Sequence, residues 1–398
     1  MRPPKKQKKR RKKRKAKSSE ASMQRSGRQL TVAGNVDRKG EVKCDVTFTQ
    51  PAIFGGAASA TAQVSSSVNK THEFLLQLSS PSLWGRSCLW NLEASKATSD
   101  ETRTSSYVEE VWHLVGKMTD PTGRHSLAAE AALRDVVPTG GSMYPSLAVQ
   151  QSILQSVKTS LRYAFARSWQ PSFVGWAADL FPMGTTIASR LGLEVALPPG
   201  SSSFLRCEAH GWATCRLPLG WTGSLSLCGG VLAPFFRQVS CLQDRFYLGG
   251  ATAAVSMLKG FNEKGAGPMA PRLPGEGEHH GRTVDALGGE AVLSLHARVS
   301  TPLNLEMVSN VADQRAKSAG AQIFFFAGAG ALARHASVAP SKLVAQLLEG
   351  RRAAVGAGVS LPAGPFGDVE LTFAVPVRRK ADDVLQPWQV GFRVNIIG

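Results

Sequence analysis

Residues 244–261 read DRFYLGGATAAVSMLKGF, and residues 262–268 continue with NEKGAGP. The segments on both sides of this stretch alternate between apolar and polar residues. Before it, in Leu205–Gly211, the residues Leu, Cys, Ala and Gly alternate with Arg, Glu and His. After it, Leu293–Val299 opposes Leu, Leu, Ala and Val to Ser, His and Arg. A period of two is the pattern of a β-strand with one apolar and one polar face.

The same alternation recurs from one end of the chain to the other. Five further segments carry it: Glu41–Phe48, Ser126–Arg134, Arg190–Leu197, Asp368–Val375 and Val390–Ile396. Stretches rich in Gly, Pro and Ser separate these segments, so the sequence predicts an all-β chain. The one candidate for a helix is Ser341–Arg351, for which a loop is the alternative.

Two all-β architectures fit this pattern, a soluble sandwich or propeller and a closed membrane barrel. No internal repeat of propeller length is visible. The polar faces carry charged residues, which is typical of the wet interior of a large barrel. The longest apolar run, Ile323–Ala333, has 11 residues, whereas a spanning helix needs roughly 18–20 and a spanning strand about 9–11. This excludes a helical membrane protein, and alternation alone leaves sandwich and barrel open.

Basic residues are concentrated at the N-terminus. Of the 47 Lys and Arg residues in this 398-residue chain, 12 lie within the first 17 positions, and the other 35 are nearly balanced by 29 acidic residues. We expect residues 1–28 to form a disordered polybasic tail. A solvated segment, a nuclear-type signal, a tether to a membrane surface and an expression artefact all fit this tail. It lacks the apolar stretch of a secretory signal peptide.

The sequence gives no sign of a metal site or of an enzyme. Its six cysteines are Cys44, Cys88, Cys207, Cys215, Cys228 and Cys241. They form no CxxC pair and have no His at ligand spacing, so neither zinc site nor disulfide framework is indicated. Gly265-Ala266-Gly267 lacks the preceding strand and following helix of a phosphate-binding loop. We therefore expect no catalytic residue, metal, cofactor or small-molecule substrate.

The stretch from 244 to 268 resembles a motif of the bacterial surface antigen family, the BamA type of barrel that inserts other barrels into outer membranes. Members carry D/E-R-F-x-L-G-G, a short spacer, V/I-R-G-F/Y and then G-x-G-P. The residues that match are Asp244, Arg245, Phe246, Leu248, Gly249, Gly250, Gly260, Phe261, Gly265, Gly267 and Pro268.

Further segments extend this resemblance along the chain. Phe54-Gly55-Gly56 resembles the turn after the family's first strand, His125–Arg134 resembles its H-x-L-x-x-E-x-x-x-R segment, and Asp285–Gly289 resembles its D-x-L-G-G. The segments are most similar to the central barrel subunit of the mitochondrial sorting and assembly machinery. The C-terminus resembles a mitochondrial β-signal, a polar-x-Gly-x-x-hydrophobic-x-hydrophobic pattern. The residues that fit it are Gln389, Gly391, Val394 and Ile396.

Two departures from the family pattern concern the loop and the N-terminus. In the family, the loop that carries this motif folds back into the barrel, and the Arg of V/I-R-G-F/Y contacts an Asp or Asn on the inner wall. Here Lys259 replaces that Arg, and four extra residues separate it from Gly250. Gly328, in the corresponding wall segment Phe326–Gly330, replaces the Asp or Asn. Lysine is a point charge rather than a planar fork, so we expect the loop to be held differently or to be degenerate, with Phe326, Gly328 and Gly330 as the wall segment. No polypeptide-transport-associated domain is recognisable before the first strand, so this domain is lost or the start of the chain is truncated.

The resemblance implies a transmembrane antiparallel barrel of about sixteen strands over residues 29–398. It implies that this barrel inserts β-barrel precursors into the mitochondrial outer membrane by strand addition at a lateral seam between the first and last strands. The expected seam residues are Val42, Cys44, Val46, Phe48, Val390, Phe392, Val394 and Ile396. The expected partners are membrane lipid, unfolded barrel precursors and peripheral subunits of the same machinery. The alternatives are a protein-import channel of the plastid outer envelope and a soluble all-β nucleic-acid-binding protein.

Overall fold

The chain is seen in a computed structural model that describes residues 29–36, 42–53, 57–67, 71–83, 86–139, 143–152, 155–170, 185–236, 239–250, 257–275, 282–303, 321–335, 340–362 and 367–394. Sixteen strands of these residues form one antiparallel sheet. They are β1 (Gln29–Val36), β2 (Val42–Ile53), β3 (Ala58–Ser67), β4 (His72–Leu83), β5 (Arg86–Asp100), β6 (Tyr107–Thr119), β7 (His125–Pro138), β8 (Ser156–Trp169), β9 (Thr186–Ala196), β10 (Phe204–Arg216), β11 (Thr222–Pro234), β12 (Ala291–Pro302), β13 (Gln322–Ala333), β14 (Arg352–Pro362), β15 (Gly367–Arg378) and β16 (Trp388–Val394).

Each strand pairs with the next along the chain, so the spatial order of the sheet is its sequence order. Short hairpin connections suit such an up-and-down meander, and most strands reach the 9–11 residues that span a bilayer when tilted. The largest insertion, between β11 and β12, contains the motif at 244–268. The all-β prediction is confirmed.

The two faces of the sheet differ as the alternation predicts. On β9, Leu191 and Leu193 are exposed, whereas Glu194 between two apolar neighbours is buried. The same holds on β15, where Leu371 and Phe373 point outward and Glu370 and Thr372 are buried. A soluble protein would bury the aliphatic face, so this outward apolar band fits a chain surrounded by lipid.

The buried polar face encloses part of the chain itself. The described residues of 240–290, named here the inner segment, form hydrogen bonds or ion pairs with residues beside β5 and on β7, β10, β15 and β16. One segment contacts strands that lie this far apart in the sheet order only if the sheet curls around it. The largest buried cluster joins apolar side chains of the inner segment, among them Phe246, Leu248, Leu258 and Phe261, to the wall.

Short elements complete the architecture. Helices α1 (Thr102–Ser105) and α2 (Leu147–Gln150) are single turns, and α3 (Pro340–Glu349) connects β13 to β14. Helix α3 covers most of the stretch for which the sequence left helix and loop open. Small two-stranded ladders pair Met143–Tyr144 with Leu273–Pro274, Gly260–Phe261 with Leu385–Gln386, and Met269–Pro271 with Val284–Ala286. Within the described residues, no helix is long and apolar enough to cross a membrane.

The position of the first strand differs from the expectation. Strand β1 precedes the segment Glu41–Phe48, and β2 pairs with β1 on one side and with β3 on the other. Val42, Cys44, Val46 and Phe48 therefore lie in an interior strand and not at an edge of the sheet. Strand β1 was not predicted because Ala33 and Gly34, in the middle of Gln29–Val36, give little contrast between the two faces. Phe54-Gly55-Gly56 lies outside the described residues.

Candidate functional site

The inner segment begins with a buried ion pair that joins two of the motifs singled out in the sequence. A single 3₁₀ turn at Leu242–Asp244 directs the Asp244 carboxylate at the wall. Its Oδ1 lies 3.0 Å from Nη1 of Arg134 on β7, and both side chains are buried. Arg134 is the arginine of the H-x-L-x-x-E-x-x-x-R segment, so these two motifs meet through opposite charges.

The acidic residue of that same segment also takes part in a network on the wall. Glu130 on β7 lies 3.1 Å from Arg162 on β8, and Lys158 lies 2.5 Å from Glu194 on β9. Lys158 is also 3.8 Å from Asp244. These charges meet because alternation directs them inward on three adjacent strands. Their pairing also offsets the cost of removing charges from water.

Arg245 holds the start of the inner segment to its end. Its guanidinium donates to the hydroxyl and the carbonyl of Ser240 and to the carbonyl of Leu287, each within 3.0 Å. The Ser240 hydroxyl in turn donates to Glu290. The two residues of the D-R pair therefore have different partners. Asp244 binds the wall, and Arg245 joins the two ends of the inner segment.

Two apolar residues of the motif pack on wall glycines. The Arg206 guanidinium lies over the Phe246 ring, with 4.5 Å between Cζ of Arg206 and the ring centroid. The same ring is so close to Gly230 that a Cβ built at this glycine would lie 2.5 Å from it. Leu248 approaches Gly330 in the same manner, with 2.8 Å to a Cβ built at that glycine. A side chain at either position of the wall would displace the inner segment.

A sharp reversal at Gly249 and Gly250 explains why the motif needs both glycines. Their φ angles are +124° and +91°, a region that other residues rarely adopt. A Cβ at Gly249 would also lie 2.3 Å from the carbonyl oxygen of Asn262. The reversal returns the chain so that Leu258 donates its N–H to Gly250.

Lys259 binds an acidic residue that the sequence analysis did not single out. Its Nζ lies 2.6 Å from Oε2 of Glu370 on β15, and both side chains are buried. The Nζ also lies 4.7 Å and 5.1 Å from the ring centroids of Phe324 and Phe326 on β13. Arg298 on β12 forms an ion pair with the other oxygen of Glu370.

The wall segment expected from the resemblance contacts the inner segment without supplying the acid. Gly328 faces the Leu258 side chain, 3.4 Å from a Cβ built there, Gly330 faces Leu248, and Phe326 faces Lys259. The carboxylate comes instead from two strands further along the sheet. Glu370 belongs to the polar face of the alternating segment Asp368–Val375, and this alternation was the available signal for its inward orientation.

Gly260 and Phe261, which follow Lys259 in the chain, are bound by the last strand. The Gly260 N–H donates to Oε1 of Gln389 at 3.2 Å, and Nε2 of Gln389 donates to the Phe261 carbonyl at 2.6 Å. Gly260 reaches the wall because its φ is +91° and because the nearest wall side chains are Ala374 and Ala354, 3.1 Å and 3.4 Å from a Cβ built there.

The G-x-G-P portion of the motif is fixed by the hairpin between β15 and β16. Gly265 accepts a hydrogen bond from the Val384 N–H, and the Gly267 carbonyl accepts one from Arg352. Arg352 also binds Asp383, at 2.9 Å between its Nη2 and Oδ1. Arg352 and Asp383 are further residues that the sequence analysis missed, because their role depends on the approach of two distant loops.

Lys264, beside this portion, binds the opposite side of the interior. Its ammonium lies 2.8 Å from Glu101 and 4.5 Å from the Tyr247 ring centroid. Burial by itself lowers the pKa of Lys264, but the charge and hydrogen bond of Glu101, together with Tyr247 and Glu263, hold this pKa above its ordinary value. The ammonium therefore stays charged and keeps the inner segment attached on this side of the interior as well.

The C-terminal residues of the predicted seam and signal lie mostly in β16. Gln389 and Gly391 are buried toward the interior, and Val390 is exposed on the outer face. Phe392 and Val394 belong to β16, and Ile396 lies outside the described residues. In the described part of the chain, no group of three or more His, Cys, Asp and Glu side chains is arranged to hold a metal ion.

Comparison with known protein families decides the assignment. Residues 137–396 match the model of the Omp85 superfamily domain. This range includes the inner segment and the strands β10, β15 and β16 that bind it, whereas Arg134 on β7 and Glu101 precede it. The chain belongs to the Omp85 superfamily. This agrees with the resemblance found in the motifs.

Curated relatives of this Omp85 chain carry one shared name. It is 28% identical over 243 residues to the sorting and assembly machinery component 50 homolog of Mus musculus, and the aligned residues cover 60% of this chain and 45% of that protein. It is 27% identical over 262 residues to the Bos taurus homolog, which covers 64% of this chain and 49% of that protein. The chain thus spans about half the length of these relatives.

A solved structure supports the same fold. The crystal structure of BamA from Haemophilus ducreyi lacking POTRA domains 1–3 superposes with a TM-score of 0.68 at 13% identity, over 92% of this chain and 70% of that chain. The Omp85 chain therefore has the BamA type of barrel architecture.

Proposed function

We propose that this protein inserts and assembles β-barrel precursors in the mitochondrial outer membrane. Membership in the Omp85 superfamily supports the proposal, as does the name of its curated relatives, sorting and assembly machinery component 50 homologs. The outward apolar side chains supply the surface that lipid requires. The further partners in this proposal are unfolded barrel precursors and peripheral subunits of the same machinery.

The mechanism is strand addition rather than covalent chemistry. A precursor strand donates and accepts backbone hydrogen bonds at an exposed sheet edge, and further hairpins accumulate there before release. Such a reaction needs no catalytic residue and no cofactor, so the protein acts as a template and not as an enzyme. The membrane favours pairing of the precursor strand, because an unpaired backbone group in lipid costs several kcal/mol.

The sheet order suggests where that edge lies. The described pairings run from β1 to β16 in sequence order, and none of them joins Gln29–Val36 to Trp388–Val394. We therefore assign the lateral seam to β1 and β16, with β1 as the edge that receives a precursor. Val390 stays at the seam in this assignment, whereas Val46 and its neighbours in β2 lie one strand away.

The observation that carries the proposal is the firmly held inner segment. Its motif is bound to the wall through Asp244, Lys259 and Gly260, so the loop that marks this superfamily keeps a defined position although its arginine is replaced. A degenerate loop would not retain a buried acid for the substituted lysine.

The test is insertion of a purified precursor into vesicles. The full chain is reconstituted into liposomes, a urea-unfolded mitochondrial barrel precursor is added by dilution, and folded precursor is scored by protease resistance and by heat-modifiable migration in gels. We expect at least a tenfold faster insertion than in empty liposomes. Equal rates would contradict the proposal, and delivery of the precursor into the vesicle interior would favour a conducting channel instead.

A further inference from the structure

The last strand and the residues before it are bound to the inner segment by side-chain and backbone hydrogen bonds. Besides the two hydrogen bonds of Gln389, the backbone of Leu385–Gln386 pairs with Gly260–Phe261. Asn262 donates its N–H to the Val384 carbonyl, and Val384 donates its own N–H to Gly265. The strand and the residues leading into it therefore follow the tip of the inner segment from residue 260 to residue 265.

The chemistry of Gln389 matches this position. A primary amide donates and accepts at once, so one side chain satisfies the N–H of Gly260 and the C=O of Phe261 as a neighbouring peptide group would. Gln389 is buried, and a buried peptide group without partners would destabilise the loop. Glutamate has the same shape but cannot donate, so it would lose the shorter of the two bonds.

The neighbouring strand contributes the adjacent contact. In the register of β15 with β16, Thr372 lies opposite Gln389, and Glu370 lies opposite Gly391. Glu370 binds Lys259 while Gln389 binds the next two residues, so successive loop residues are held by successive strands. The small residue at Gly391 leaves the inner side of β16 clear beside the Glu370 carboxylate.

We propose that Gln389 is a positioning residue that ties β16 to the inner segment, so that β16 is the fixed side of the seam and β1 is the side that parts from it. This inference rests on the proposed function. It gives the polar residue of the C-terminal signal-like pattern a second role within the folded barrel. It also assigns the inner segment a task, which is to hold one side of the seam in register while a precursor strand is added at the other.

The first experiment measures the tie without using the function. Wild type and Gln389→Glu are refolded in detergent from unfolded protein, so that targeting in cells does not matter, and amide hydrogen exchange is followed by mass spectrometry. We expect exchange in 260–265 and 384–390 to accelerate at least tenfold in Gln389→Glu. Gln386→Glu is the matched control, because this residue is three positions away, pairs through its backbone and has an exposed side chain. Unchanged exchange in Gln389→Glu, or equal acceleration in the control, would overturn the inference.

A second variant breaks the same contact from the loop side. Gly260→Ala places a methyl group against Ala374 and strains a φ of +91°, and it should accelerate exchange in 384–390 although β16 is unaltered. This variant decides the matter if Gln389→Glu does not refold. Protection of 384–390 that survives Gly260→Ala would contradict the tie.

The functional readout separates this inference from the proposed function. In the liposome assay, Gln389→Glu should bind precursor with wild-type affinity but complete insertion severalfold more slowly. If wild type itself fails to insert the precursor, the proposed function is wrong, while the exchange data still report on the tie. If wild type inserts and Gln389→Glu inserts at the same rate, the tie has no role in assembly and the inference fails.

Discussion

Lys259 of the inner segment and Glu370 of β15 form a buried ion pair with 2.6 Å between Nζ and Oε2. Gly328, at the wall position where the resemblance leads one to expect an acid or amide, only faces the Leu258 side chain. The loop is attached through a lysine to an anion that lies two strands further along the wall than the expected position. The phenyl rings of Phe324 and Phe326 add attraction for the ammonium.

Loss of the shared carboxylate should cost more than loss of the lysine. Glu370→Gln leaves two buried cations, Lys259 and Arg298, without this anion, and removing one partner of a buried pair typically costs about 3–5 kcal/mol. Lys259→Met keeps the pair of Glu370 with Arg298 and should cost roughly 1.5–3 kcal/mol. Urea unfolding of the refolded barrel, followed by heat-modifiable migration, measures both. A larger loss for Lys259→Met would contradict this order.

Gly230 on β11 is predicted to be intolerant of a single methyl group. In Gly230→Ala the new Cβ would lie 2.5 Å from the buried Phe246 ring, and overpacking of this kind costs about 1–3 kcal/mol. Gly211 on the adjacent strand is the control, because a Cβ there meets no atom within 4 Å. Gly211→Ala should therefore unfold at the wild-type urea concentration or slightly above it. Equal midpoints for the two variants would refute the close packing of Phe246.

Proline substitutions should locate the receiving edge on β1. Along an antiparallel strand, successive N–H groups point to opposite sides. One of Val32→Pro and Ala33→Pro therefore removes a hydrogen bond to β2, and the other removes a donor at the open edge. We expect one variant to impair folding of the barrel and the other to fold but to lose most precursor insertion. Normal insertion by both folded variants would exclude β1 as the receiving strand.

The polybasic tail is expected to act on membrane association and not on anchoring. Its 12 basic residues within positions 1–17 each contribute at most about 1 kcal/mol at an anionic surface. A peptide of residues 1–28 should bind anionic vesicles, release them as salt rises, and ignore neutral vesicles. Deletion of residues 2–17 should leave the protein resistant to alkaline extraction from membranes. Extraction of the deletion variant would contradict anchoring by the strands.

Much of this fold could be predicted from local patterns. Strand positions such as Asp368–Val375 follow from alternation, because the direction of a side chain on a strand depends only on its parity. The glycines at 249, 250 and 260 were apparent from the motif, and their positive φ angles give the physical reason. Strand β1 was not predicted because its pattern is short and because Ala33 and Gly34 give little contrast between its two faces.

By itself, the sequence determined that the chain is all-β, where the strands of the alternating segments lie, which face of each of these strands is polar, and where the loop motif stands. The partners of the motif were decided by the tertiary structure alone. Glu370 is 111 residues from Lys259, and Gln389 is 129 residues from Gly260. Whether such groups meet depends on the register of every intervening strand and on the curvature of the whole sheet. A local pattern fixes the direction in which a side chain points, but only the path of the whole chain brings two such directions to the same place.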